Sequence, residues 1–347
     1  MQTNDCLDSL AGGGAPNIAA ASPHPGLALS DRATEMLLSA DSPAAAPLRE
    51  QLTTTDGVII VSNLLPVNIR KIVVDGHIDF EVSWNHDHLL SMKTKAMDGL
   101  RVLWVGGVHV TMDAKGGGGL FDGAGDFADV DEMDEMLLEQ RLLEFNCVPV
   151  LISHDILNSH HDFCRTSLFP VFNSVVDVYG PRATENVSST AHKKNWECYV
   201  RVNRKFAEKT TQRYEPGDLI WVHNYQLMLV PSYLLQKMPQ ATICFYMHQP
   251  WPSSELFRTL SVREEILLGM LNSDMIGFQS FDFARNFLTA CSRLLGLSYS
   301  VKKGGNLTID YNGRHVEIYI EHVSVEPDML SEQLHHQSVR KSIEEYT

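Results

Sequence analysis

Basic residues are scarce in this sequence: 28 Lys and Arg stand against 43 Asp and Glu, leaving a formal net charge of -15. Nucleic-acid binding needs clustered cations to neutralise phosphates, and no basic face is evident, so that function class is disfavoured. Long apolar runs are missing as well. No segment reaches the ~18 apolar residues of a membrane helix, and the N-terminus lacks a basic stretch leading into an apolar core. The chain therefore reads most simply as cytoplasmic, with no membrane partner. The six cysteines, Cys6, Cys147, Cys164, Cys198, Cys244 and Cys291, are widely spaced, with neither a CxxC pair nor Cys/His ligand spacing. They read as reduced thiols. His154-Asp155 and His160-His161 have no third ligand at helical or hairpin spacing, so neither a metal nor a cofactor is expected. The nucleophile elbow G-x-S-x-G is absent. Asn186-Val187-Ser188 and Asn306-Leu307-Thr308 match the glycosylation acceptor pattern, a coincidence in a cytosolic protein.

The 44% hydrophobic content supports a real core, and residues 57 to 330 suit one large α/β domain. Residues 1 to 56 mix Gly12-Gly13-Gly14 with Ala, Pro and Ser clusters. They hold too few large apolar groups to offset the entropy of ordering, and a disordered tail is expected, with Ala33 to Leu38 at most a nascent helix. Residues 331 to 347 form a polar C-terminal segment. Between Asp113 and Asp134 the chain is rich in Gly and acid. The carboxylates would repel a phosphate, and the spacing of Asp122, Asp126 and Asp129 does not fit a Ca²⁺ loop, so this is a loop.

Apolar runs at Val58 to Ser62, Cys147 to Ile152, Leu219 to Val222, Ile243 to Met247 and Met275 to Phe278 alternate with helix-period segments. Asp131 to Phe145 is one such segment, its methionines filling core. This alternation is the mark of a parallel, doubly wound α/β sheet, in which ligands bind at strand ends. Near the far end Leu307, Ile309 and Tyr311 alternate, Asn312-Gly313 supplies the turn, and Val316, Ile318 and Ile320 alternate back, which predicts a hairpin.

The longest continuous pattern runs from Asp218 to Gly296. It reads WVHNYQLMLVP, then HQPWPSSE, VREE, GFQS and DFARNFLTACSRLLGL, preceded by VSNLLPV, SWNHDHLL, NCVPVLI, DFCRTSLFPVF and WECYVRVNRKFA. In this order the blocks resemble the trehalose-6-phosphate synthases of glycosyltransferase family 20. NCVPVLI with DFC, and KGGNLTIDYNGRHVEI, look most like the plant class II branch, where a synthase-like half precedes a phosphatase-like half.

The resemblance implies the N-terminal Rossmann-like lobe of a GT-B glycosyltransferase. In that family the lobe holds glucose 6-phosphate, a second lobe holds the uridine diphosphate of the donor, and stereochemistry is retained. Several matching positions depart from the pattern. Leu64 stands where the family has a phosphate-binding Arg. His160 and Phe169 stand for its Tyr and Trp, and His160 would favour a phosphate when protonated near pH ~6.5. Asn224 replaces an Asp that accepts from sugar hydroxyls, and Gln226 replaces a His. His248 keeps the family's histidine near the transferred glucosyl group, although a satisfied strand-end histidine would read the same. Arg263, Glu264, Glu265 and Arg285 match family positions, but surface charge pairs explain them equally well. Ser253 is expected to cap the next helix, with Glu255 in its first turn.

Where the family runs through a PVGID-like linker into its second lobe, this sequence reads His322 to Asp328 and stops at Thr347. The expectation is therefore a lobe without its donor half, inactive alone, that binds glucose 6-phosphate or a related sugar phosphate weakly at Leu64, His160, Phe169, Asn224 and His248. Two alternatives stay open. One is a fragment of a longer active or bifunctional synthase/phosphatase, and the other is a structural partner of full-length synthases.

Overall fold

The computed structural model describes residues 57–74, 77–85, 99–111, 132–175, 190–302 and 307–322, and most of 331–346. The expected tail, most of the Gly/acid loop and the linker 323–330 lie outside the described residues.

The chain enters the fold through β1 (Gly57–Leu64), then makes β2 (Val67–Val74), β3 (His77–Trp84), β4 (Arg101–Gly107) and β5 (Val110–Thr111). Helix α1 (Glu132–Leu143), strand β6 (Cys147–Pro149) and helix α2 (His154–Phe163) follow. A π-helical turn, Cys164–Leu168, carries α2 into α3 (Phe169–Phe172), after which α4 (Thr190–Arg213) returns to β7 (Leu219–His223). The rest runs α5 (Val230–Lys237), β8 (Thr242–Met247), α6 (Ser254–Phe257), α7 (Arg263–Met270), β9 (Met275–Phe278) and α8 (Phe281–Leu295). Strands β10 (Tyr299–Val301), β11 (Leu307–Tyr311) and β12 (Arg314–Ile320) and the helix α9 (Gln337–Tyr346) close the described chain.

The main sheet has the order β10-β11-β12-β9-β8-β7-β1-β4-β6. Every neighbouring pair from β12 to β6 is parallel, and only β10-β11 and β11-β12 are antiparallel. From β1 the chain winds outward through β4 to β6, then crosses back to β7 on the other side of β1 and winds outward again. The point between β1 and β7 is thus where the winding reverses. Connections leave it in opposite directions, and in sheets of this class ligands bind outside the carboxyl ends of the strands at such a point.

Strand β1 explains why the sheet closes around it. Ile59 and Val61 point into one core and Val58 and Ile60 into the other, and none of the four is more than 3% exposed. Such a strand reads as an unbroken apolar run because both of its faces are covered. The first face is covered by side chains such as Tyr199, Val202, Phe206, Leu234, Leu267 and Phe287, from α4, α5, α7 and α8. The second is covered by Leu138 and Leu142 of α1 and by a separate three-stranded sheet, β3-β2-β5, through Val67, Ile69, Phe80 and Val110. That second sheet is not among the sequence expectations, and β6 stops at Pro149, short of the expected Ile152.

Local signals account for the element ends. Asn312 and Gly313 take φ values of 51° and 75°, the left-handed turn that an Asn-Gly hairpin requires. Ser280 Oγ accepts from the Phe283 N–H to start α8, and Gly296 at φ 68° ends it. Among the described residues no helix is long and apolar enough to cross a membrane.

At the amino ends of the central strands, the Asp218 carboxylate accepts from the N–H of Gly57 (2.9 Å), the N–H of Glu215 (3.0 Å) and the Arg101 guanidinium (2.7 Å to each oxygen). It clamps β1, β4 and the entry to β7, and its side chain is 2% exposed. Asp218→Ala strands two backbone donors and one guanidinium. It is expected to lower the unfolding free energy by about 2–4 kcal/mol, read as a lower urea midpoint at unchanged slope. A loss below about 0.5 kcal/mol would mean the clamp is dispensable.

Candidate functional site

Parallel pairing brings the carboxyl ends of β1, β7 and β8 to one edge. Val61 is in register with Val222, and His223 with Tyr246, so Leu64, Asn224 and His248 all follow neighbouring strand ends. Leu64 is 41% exposed there.

Asn224 has the most unusual backbone of the described non-glycine residues at this edge, with φ 72° and ψ 169°. Such a conformation is essentially confined to glycine and costs a residue with a side chain about 1–3 kcal/mol. The conformation is fixed from both sides: the Asn224 N–H donates to the Tyr246 carbonyl (2.8 Å) and its own carbonyl accepts from Leu227 (3.1 Å). Two residues on, the Gln226 carbonyl lies 3.2 Å from His160 Nε2 and accepts from Asn203 Nδ2 at 3.0 Å. The Tyr199 hydroxyl donates to the Tyr225 carbonyl at 2.7 Å. The loop after β7 is therefore held by its backbone, which leaves its side chains for something else. Asn224 Oδ1 and Gln226 Oε1 are buried and accept no hydrogen bond within the protein.

His248 is built into a stack. Its Nε2 lies 3.0 Å from His223 Nδ1, and its ring centroid is 4.7 Å from that of Tyr246. The Tyr246 hydroxyl donates to the Glu321 carbonyl at 2.6 Å. Gly277 makes room for that ring: a Cβ at this position would meet Tyr246 Cδ2 at 2.5 Å. Gln279 Nε2 donates to the His248 carbonyl (2.9 Å). The next loop follows the sequence expectation. Ser253 Oγ accepts from the Leu256 N–H at 3.4 Å, and Glu255, in the first turn of α6, pairs with Arg293.

The structure thus gathers Leu64, Asn224 and His248 at one edge and ties His160 to it through the Gln226 carbonyl. Phe169 does not share in these contacts: it opens α3 and is 38% exposed, and Phe172 of the same turn instead packs on Tyr225 and Trp251. His160 needs a correction. It is 2% exposed and its ring stacks on Tyr199 at 5.4 Å and 10°. Burial pushes the imidazole down to about 4, so it is neutral at pH 6 as well as pH 8 and cannot serve as the protonated phosphate ligand expected from the sequence. Arg285 pairs with Asp282 at 3.0 Å, the helical i, i+3 pair anticipated for it, while Arg263 pairs with its neighbour Glu264 at 3.5 Å instead of with a residue one turn away. His223 and Tyr246, which hold His248, were not singled out by sequence reasoning. The available signal was their position at the ends of the apolar runs, His223 as the last residue of β7 and Tyr246 as the last but one of β8.

Among the described residues no group of three or more His, Cys, Asp or Glu could hold a metal ion, and the five described cysteines are unpaired thiols.

Residues 56–346 match the model of Glycosyltransferase family 20. The chain belongs to this family. It is 34% identical over 280 residues to alpha,alpha-trehalose-phosphate synthase (UDP-forming) 5 of Arabidopsis thaliana, covering 80% of this chain and 30% of that relative. In fold it is similar to the N-terminal domain of Candida albicans trehalose-6-phosphate phosphatase, with a TM-score of 0.62 at 23% identity, covering 84% of this chain and 53% of that one. An E. coli trehalose-6-phosphate structure bound with UDP-2-fluoro glucose gives a TM-score of 0.52 at 18% identity, covering 81% and 52%. The family 20 chain described here thus spans about a third of the curated relative and about half of the solved neighbours.

Two outcomes follow from the loop geometry. Asn224→Gly relieves the backbone and removes a buried acceptor, while glycine costs about 0.5–1 kcal/mol of unfolded-state entropy. The variant is expected to be more stable by about 0.5–2 kcal/mol, seen as a higher melting temperature; a destabilised variant would place the strain elsewhere. The second concerns acid. With a folded value of about 4 against ~6.5 unfolded, His160 makes the unfolded chain bind the extra proton between those values. Its contribution is complete above pH ~6.5 and is lost as pH falls toward 4, on the order of 3 kcal/mol. His160→Gln should remove that part of the slope in urea unfolding between pH 4.5 and 7, and an unchanged slope would contradict the buried neutral imidazole.

Proposed function

We propose that this chain is a trehalose-phosphate synthase-like protein of trehalose metabolism whose β1/β7 crevice holds a sugar or sugar phosphate weakly and transfers no glucosyl group by itself, acting as a regulatory or ligand-binding module. The observation that carries this reading is that neither Leu64, which stands where the family resemblance puts a phosphate-binding Arg, nor His160 supplies a cation. Leu64 is exposed at the end of β1, and His160 is buried and neutral. A phosphate or departing diphosphate needs charge-assisted donors, and neither position supplies one. The E. coli neighbour bound with UDP-2-fluoro glucose and the glucose 6-phosphate that the family resemblance implies support a sugar or sugar phosphate as the ligand class. The reversal of winding between β1 and β7 supports a small polar ligand at these strand ends.

The chain's coverage of its curated relatives favours a second reading, in which it is one part of a longer active or bifunctional synthase/phosphatase. Sequencing the transcript beyond the codon for Thr347 separates the two. For the first reading, the purified chain is mixed with UDP-glucose and glucose 6-phosphate and UDP release is followed. No turnover above a boiled control is expected. Turnover that survives repurification would overturn it, and the Leu64→Arg and Asn224→Asp changes are not expected to restore activity.

A further inference from the structure

In a chain with a formal net charge of -15 a cation finds carboxylates easily, and at the end of α4 it does: Lys209 and Arg213 each pair with Glu139 of α1 at 2.9 Å. Earlier on the same helix Arg201, Arg204 and Lys205 are exposed, and none of them has a carboxylate partner among the described residues. Their spacing puts the three on one side of the helix. Toward its start Lys193 and Lys194 outnumber Glu197, so this side stays positive. The sequence as a whole shows no basic face, yet α4 assembles one.

The face borders a cavity of about 180 Å³, lined by Arg201, Arg204 and Lys205 together with the half-buried Ile152, which follows β6, and Ile156 in the first turn of α2. Two of the cations are already placed. The Arg204 guanidinium lies 5.4 Å over the Tyr233 ring, and Lys205 Nζ donates to the Leu151 carbonyl at 3.1 Å. Neither contact cancels the charge, and a side chain held in place loses less entropy when it pairs. Glu208 also lines the cavity, but it is paired with Lys237 at 3.8 Å.

The lining decides between anions. The cavity is smaller than the ~300 Å³ or more of a typical small-molecule pocket, and a lone phosphate would leave Ile152 and Ile156 unused. A nucleic-acid strand needs stacking rings or a long run of cations, and this lining offers neither. A carboxylate-bearing peptide answers both halves: one apolar side chain fills the cavity, and flanking carboxylates meet the spaced cations.

We propose that this face of α4 docks a short acidic segment of a partner protein, with an apolar residue seated against Ile152 and Ile156 and its flanking Asp or Glu side chains on Arg201, Arg204 and Lys205. The surface lies at the β6 edge of the main sheet, separated from β1 by β4, so the proposal stands independently of the sugar-site reading.

Fluorescence polarisation of the full chain with an end-blocked, fluorescein-labelled peptide, Glu-Asp-Asp-Leu-Asp-Asp-Glu, tests the proposal. Saturable binding is expected with a Kd on the order of 10–100 μM. It should weaken by about three- to tenfold when the central leucine of the peptide becomes serine, and again as salt rises from roughly 50 to 500 mM. Arg201→Glu with Arg204→Glu should weaken it by about tenfold or more at a nearly unchanged urea midpoint. Arg340→Glu with Lys341→Glu, which reverses two exposed cations of α9, should leave the affinity as it is. No saturable binding up to about 1 mM peptide would overturn the proposal, as would equal weakening by the two charge reversals or indifference to the central leucine. Displacement of the peptide by inorganic phosphate or by duplex DNA at equal negative charge would overturn it too, and would reassign the face to a phosphate ligand or to nucleic acid.

Discussion

Strand β1 is hydrogen-bonded on both edges and buried on both faces, and the rest of the lobe is arranged to satisfy it. Its edges are taken by β4 and β7, so the chain must leave toward one side, finish β6, and come back to begin again on the other. That return creates the reversal of winding, and the reversal leaves the carboxyl ends of β1 and β7 uncovered by a crossover. At the opposite end the Asp218 carboxylate ties the starts of the same strands together. The clamp at one end and the reversal of winding at the other follow from the same central strand.

The crevice departs from the economy of the core. In the core Val61, Val105, Val148 and Ile220 are wholly buried and β-branched, consistent with a covered parallel sheet. At the crevice the chain accepts a strained Asn224 and two unsatisfied amide oxygens. The surrounding hydrogen bonds, one from the Asn224 N–H to the Tyr246 carbonyl and others from Asn203 and Tyr199 to the loop carbonyls, fix the backbone firmly enough to impose that conformation. Strain over-determined in this way tends to collect at ligand sites.

Much of this was legible in the order of residues. Parallel strands announce themselves as short apolar runs, so β7, β8 and β9 fell within a residue or two of their expected limits. Asn312-Gly313 fixed the hairpin and Ser253 the start of α6, because both are local chemistry. The sheet of β2, β3 and β5 was not legible: β3 buries only Phe80 fully, and its partner face is supplied by α1 and the second face of β1 and β4. His160 misled for a related reason. Its sequence neighbours are polar, and only the stacking of Tyr199 from α4 and the reach of Gln226 from the β7 loop bury it. The backbone of Asn224 was equally out of reach, since Asn is tolerated at positive φ without signalling which positive φ it adopts.

The central claim is the proposal that the edge formed by Leu64, Asn224 and His248 takes a sugar or sugar phosphate. The side-chain amide resonances of Asn224 and Gln226 report on it directly during a titration of the ¹⁵N-labelled chain with glucose. The account predicts that both amide pairs shift together and saturate along one curve. Saturating shifts elsewhere in the protein with these two amides unmoved would contradict it.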